Sequence, residues 1–329
     1  MNNFKVLSYK EEEKLTIEEK KEYYKCLREY LKNIPVSNFK NIYLKICNVL
    51  NKKIVRIIID KIKGYELVIT GQENIPDTPV IYASTHQNFN DHFNAVLSIP
   101  DHAIILNTST VTKSFKCIMG VNGIVYVDRN DKEDRFKSKM KLMKYTIMGK
   151  SIVVFPEGTY NCSPNKLHLP LHMGVIDISK KMQIPIVPLI QEYTYDDEIL
   201  DGKTRVKKCR VHFGKPIYVN VEDDLKEKKE ELSEIFSTIK YFLMEEKGLY
   251  KRENITIEEY INFVKTRINT WKMVNVDIND ERKTIYGYND DFYLFHHIND
   301  IAFNGNNELL ETEHVRKLEK LYKTNLHKF

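Results

Sequence analysis

The chain holds 329 residues, 42% of them hydrophobic, with 51 Lys and Arg against 46 Asp and Glu. That is apolar material enough for one large domain with additions or for two modest ones, which excludes global disorder, and a formal charge of +5 does not by itself call for a nucleic-acid partner. The cysteines (Cys26, Cys47, Cys117, Cys162 and Cys209) are scattered, odd in number and free of CxxC pairs, which argues against a disulfide framework or a zinc ribbon and for a reducing compartment.

The amino terminus, MNNFKVLSYKEEEK, has no apolar h-region, so no secretory signal is expected. No apolar run approaches the roughly 18–20 residues of a spanning helix. Residues 10–34 are charge-dense with apolar positions at helical spacing and predict one surface helix ended by Pro35. Along residues 37–63, Phe39, Ile42, Ile46, Val49, Ile54 and Ile58 share one helical face, and Lys40, Lys45, Lys52, Lys53, Arg56 and Lys61 crowd the other. Such a segment suits a helix lying in a membrane interface. It equally suits a helix packed on the core with a solvated basic face.

Strands and helices then alternate. YELVITG (65–71), PVIYAST (79–85), HAIIL (102–106), GIVYVDR (123–129), SIVVFPEG (151–158), IPIVPLI (184–190) and CRVHFGKPI (209–217) read as strands. Helices are expected at 131–149, 173–183 and about 222–247. The alternation predicts an α/β fold with a mixed, largely parallel sheet flanked by helices. The organisation read from the sequence is an N-terminal helical region (1–63), an α/β domain (64–249) and a C-terminal extension (250–329) with helices near 256–271 and from about Glu308. In such sheets functional groups gather beyond the carboxyl ends of strands. His86, Arg129 and Glu157 each follow an apolar run.

His86 and Asp91 stand five apart in THQNFNDHF. On a continuous helix they would diverge by roughly 140°. They converge only at a corner, with His86 leaving a strand and Asp91 entering a helix. There a neutral histidine can serve as a base near neutral pH, and a carboxylate can hold its tautomer and stabilise the imidazolium. The alternative is a helix-capping Asp91, or Asn90, beside an incidental histidine.

HQNFND, GIVYVDR, FPEGTY and IPIVPL occur in the order and spacing of the glycerolipid acyltransferases, and residues 64–220 resemble the lysophosphatidic acid acyltransferase (PlsC-like) family. The resemblance implies acyl transfer from an acyl-CoA or acyl-carrier-protein thioester to a hydroxyl of a lysophospholipid, 1-acylglycerol-3-phosphate-like, as a step of phospholipid biosynthesis. It implies no metal, no cofactor beyond the acyl donor and no covalent acyl-enzyme. By the same resemblance His86 and Asp91 are the catalytic pair, and Arg129 binds the acceptor's phosphate through its planar fork. Glu157, Gly158 and Thr159 hold the glycerol and phosphate, with Glu157 accepting hydrogen bonds from the acceptor's hydroxyl or ordering Arg129. Pro188 is expected to shape a strand end at the floor of the site.

The chain departs from the family pattern at Thr85, where asparagine is usual, at Tyr160, where arginine or a small polar residue is usual, and at His172, which aligns with a usual lysine. Lys166, His168 and His172 are candidates to supply the missing positive groups. A metal hydrolase built on His86, Asp91, His92 and Glu157 lacks an HExxH or cysteine cluster, FHHIND (295–300) has no matching ligand block, and no GxSxG elbow supports a serine hydrolase. The expected enzyme is cytoplasmic and peripheral on the inner face of a membrane, with a lipid surface and a thioester donor as partners and no nucleic acid. The competing reading is a lipid-surface binding protein that keeps this fold without turnover.

Overall fold

In a computed structural model the structure describes residues 4–34, 50, 52–87, 90–101, 103–108, 124–128, 131–158, 168–200 and 203–245. The C-terminal extension expected at 250–329, Arg129, Thr159, Tyr160, Lys166 and most of 37–51 lie outside them.

One seven-stranded sheet organises the described residues, in the order β1-β7-β6-β2-β5-β3-β4. The strands are β1 (Glu66–Thr70), β2 (Ile81–Ser84), β3 (Ala103–Thr108), β4 (Val125–Val127), β5 (Ser151–Val154), β6 (Ile186–Leu200) and β7 (Lys203–Phe213). β2 pairs in parallel with both β5 and β6, and β3 in parallel with β5 and β4. β6 turns back into antiparallel β7, whose other edge carries β1 in parallel. The sheet is thus mixed and largely parallel, and β2 and β5 end along one edge, past which β6 runs on to Leu200 beside β7.

Both faces are covered, as parallel strands require. On one face Ile81 and Ala83 of β2 pack with Leu27 and Leu31 of α2 (Ile17–Asn33), Leu142 of α5 (Lys132–Ile147), Ile176 of α6 (Gly174–Met182) and Phe236 of α7 (Leu225–Glu245). On the other, Val80 and Tyr82 pack with Phe93 and Ile99 of α4 (Asn90–Ser98) and with Val55 and Ile59 of α3 (residues 52–63). Each fully buried isoleucine contributes about 1.5–3 kcal/mol. Gly71, at φ 77°, lies where a Cβ would come 2.3 Å from the Phe213 carbonyl oxygen, so the exit from β1 admits only glycine.

Two expectations need correction. The helix expected over 10–34 is two helices, α1 (Tyr9–Glu12) and α2, because Thr16 caps α2 with a box in which Glu19 reaches back to the Thr16 amide at 2.8 Å. Lys181 of α6 pairs with Glu12 at 2.6 Å and with Asp177 at 3.2 Å, which ties α1 to the α/β layers. Pro188 lies inside β6, opposite Ala83, and not at a strand end. It is tolerated there because β7 pairs only from Leu189 onward, and the Pro188 carbonyl accepts the Gly214 N–H at 2.8 Å where the ladder has stopped.

Candidate active site

The strand-to-helix corner is present. Thr85 N–H donates to the Leu189 carbonyl at 3.1 Å, and Gln191 N–H donates to Thr85 Oγ1 at 2.9 Å, so the chain leaving β2 stays fastened to β6 until His86. α4 begins at Asn90 and puts Asp91 in its first turn, where the helix dipole favours a carboxylate. His86 Nδ1 lies 2.9 Å from Asp91 Oδ2. The same oxygen accepts the Gln87 amide at 2.6 Å, and Asp91 Oδ1 accepts the Tyr193 hydroxyl. Asp91 is thus a cap of the corner and the partner of the imidazole at once. Beside it the Phe155 ring stacks on His86 at 4.2 Å between centroids, and His92 meets both rings.

A buried polar web backs the pair. Tyr65 Oη donates to Asn94 Oδ1 at 2.6 Å, and Asn94 Nδ2 donates to Tyr193 Oη at 2.8 Å and Gln191 Oε1 at 3.1 Å. Gln191 Nε2 donates to Ser84 Oγ at 3.0 Å and to the Asp91 carbonyl at 3.1 Å. Burial, then the charge of Asp91, pushes the Tyr193 phenol well above its ordinary value, so it stays protonated and donates. Burial likewise pushes the Cys209 thiol up, which disqualifies it as a nucleophile.

Glu157 follows β5 and is fully buried in a turn closed by Gly158, at φ 76°. Its Oε1 accepts the His86 amide and its Oε2 the Leu169 amide, both at 2.7 Å. Both oxygens hold backbone, and Glu157 joins the β2, β5 and 168–173 segments; Arg129 lies outside the described residues. Burial pushes its pKa up to about 8 against the pull of the two amides and of Lys240. His172 donates its backbone N–H to the Pro156 carbonyl at 2.8 Å and exposes its side chain. The His168 ring engages Ser233 on α7 and the Leu169 carbonyl, a structural post between the loop and that helix.

Gln191, Tyr193, Asn94 and Lys240 belong to no recognisable string, and the sequence reading missed them all. The one signal was a lysine inside the apolar stretch STIKYFLM. Among the described residues no group of three or more His, Cys, Asp or Glu side chains could hold a metal ion.

Residues 66–192 match the family model described as Acyltransferase. A 1-acyl-sn-glycerol-3-phosphate acyltransferase of Brassica napus, BAT2, chloroplastic, is 30% identical over 166 residues, covering 48% of this chain and 47% of its own length. The 1-acyl-sn-glycerol-3-phosphate acyltransferase of Saccharomyces cerevisiae is 27% identical over 138 residues, 40% of this chain and 44% of its own. The chain spans about half the length of these curated relatives or less. Among solved structures, the crystal structure of PlsC from Thermotoga maritima is similar with a TM-score of 0.48 at 19% identity, over 67% of this chain and 88% of that one. The segment 66–192, which carries His86, Asp91 and Glu157, is thus the part of the chain that is similar to the Acyltransferase family.

Proposed function

We propose that the protein is an O-acyltransferase that moves a fatty acyl group from a CoA or acyl-carrier-protein thioester to a hydroxyl of a lysophospholipid of the 1-acylglycerol-3-phosphate type, a step of phospholipid synthesis. The observation that carries this is the 2.9 Å contact between His86 Nδ1 and Asp91 Oδ2 at the sheet edge where the parallel strands β2 and β5 end. The names of the curated relatives support the acceptor class.

With Nδ1–H donated to Asp91, Nε2 is the ring nitrogen that takes the acceptor's hydroxyl proton as the oxygen attacks the thioester carbonyl. The tetrahedral intermediate collapses by breaking the C–S bond, and the imidazolium returns its proton to the leaving thiolate. Ester and free thiol are the products. Asp91 stabilises the imidazolium between these steps, and general-base help of this kind contributes about 10²–10⁴ in rate. Arg129, Thr159 and Lys166 are proposed to hold the acceptor's phosphate, with the exposed His172 at the same edge.

The enzyme is proposed to work at the cytosolic surface of a membrane. Leu50, Ile54 and Ile57 are exposed beside exposed Lys53, Arg56 and Lys61, whereas Val55 and Ile59 on the other side of α3 are in the core. That side-by-side apolar and basic surface suits an anionic interface.

The test is thioester consumption by the wild type and by His86→Ala, with palmitoyl donors and acceptors including lysophosphatidic acid presented on liposomes. Acceptor-dependent turnover lost by about 10²-fold or more in the variant is expected. Turnover equal in the two proteins overturns the base assignment, and no turnover by the wild type favours the binding protein without catalysis.

A further inference from the structure

Helix α7 lies outside the segment that matches the acyltransferase family, yet one of its side chains reaches Gln87, the residue next to the candidate base. Lys240 is 1% exposed. Its Nζ donates to Gln87 Oε1 and, at 2.6 Å, to the Gln191 carbonyl, and it pairs with the Glu192 carboxylate. An ammonium has three protons to satisfy, and here three acceptors converge on it. Buried charge is kept only with such partners, and a hydrophobic replacement of similar volume often serves stability as well or better. Packing alone therefore gives no reason for a lysine at this position.

The partners supply a reason. Gln87 follows His86 directly, and its amide donates to the same Asp91 oxygen that faces the imidazole. Gln191 holds the other side of the corner, through Thr85 Oγ1 and the Asp91 carbonyl. Lys240 thus grips both flanks of the His86–Asp91 pair from the face of the sheet opposite α4. We propose that Lys240 is a positioning residue for the His86–Asp91 pair, acting through Gln87 and Gln191. The proposal rests on the reading of His86 as the base. It adds that α7, outside the matched segment, is part of the site's construction.

Lys240→Met alone removes the ammonium that pairs with the buried Glu192 carboxylate, so the test uses the paired variant Lys240→Met/Glu192→Gln in the full chain. Its thermal unfolding is recorded, kcat and KM are measured with lysophosphatidic acid on liposomes, and the ring signals of 15N-histidine-labelled protein are compared, with His86→Ala identifying those of His86. The expected result is a folded variant with kcat about ten- to a hundredfold lower, KM unchanged and the His86 signals displaced. Wild-type kcat overturns the proposal, and so does a lower kcat with unmoved His86 signals. Should the paired variant fail to fold, Gln87→Ala severs the same link and is judged by the same readouts. If the wild type turns over no acceptor, the functional reading has failed, and the displacement of the His86 signals alone decides whether Lys240 positions the ring.

Discussion

Replacing Glu157 by glutamine should change how stability depends on pH. The carboxyl is fully buried and its pKa is raised from the usual carboxylate range to about 8, chiefly by burial. In the unfolded chain it titrates near its ordinary value of about 4.3. Between the two values the folded state holds a proton that the unfolded state has released, so stability falls as pH rises, opposite to a salt-bridged carboxylate. From about pH 5.5 to about pH 7.5 the difference approaches one proton, and at about 1.36 kcal/mol per pH unit it amounts to a loss of about 2–3 kcal/mol. Glutamine at 157 cannot titrate. It offers one acceptor oxygen where the His86 and Leu169 amides need two, a cost of about 1–3 kcal/mol that is the same at both pH values and cancels in the comparison. Urea unfolding of the wild type and Glu157→Gln at the two pH values measures the difference. The wild type should lose about 2–3 kcal/mol more than the variant on going to the higher pH, and equal losses in the two proteins would refute the reasoning.

Tyr193→Phe removes the hydroxyl that Asp91 Oδ1 accepts. A hydrogen bond to a charged group is worth about 1.5–3 kcal/mol, so kcat should fall about ten- to a hundredfold, and steady-state kinetics showing a change in KM alone would contradict the role. Ile54→Asp/Ile57→Asp alters only exposed positions of α3 and should lower flotation with anionic liposomes by about tenfold or more while leaving the unfolding transition in place. Flotation equal to the wild type would remove α3 from the docking surface. Deleting 37–63 is the poorer experiment, since Val55 and Ile59 would leave the core with it.

The apolar strands were legible because burial on both faces writes itself as unbroken runs such as PVIYA and SIVVF. The corner at His86–Asp91 was legible because a spacing of five fits no helix face. Most of what stayed hidden has one physical cause. The hydrophobic run of β6 stops at Ile190, yet the strand continues to Leu200 because antiparallel β7 completes its ladder. The first three residues past the run, Gln191, Glu192 and Tyr193, are polar and would ordinarily mark a surface, but each is buried against a partner: Gln191 on Thr85 and Ser84, Glu192 on Lys240, Tyr193 on Asp91. A side chain whose burial depends on one distant hydrogen-bonding partner leaves no periodic trace, since that partner is remote in sequence. The capping box at Thr16–Glu19 differs: it was written locally, as TIEE, and was masked only by the helical periodicity on either side. Buried polar groups are costly unless fully paired, so a fold concentrates them where rigidity matters more than stability. Here that place is the middle of β6, beside the His86–Asp91 corner, which explains why the residues least visible to pattern are the ones proposed to hold the candidate base in position.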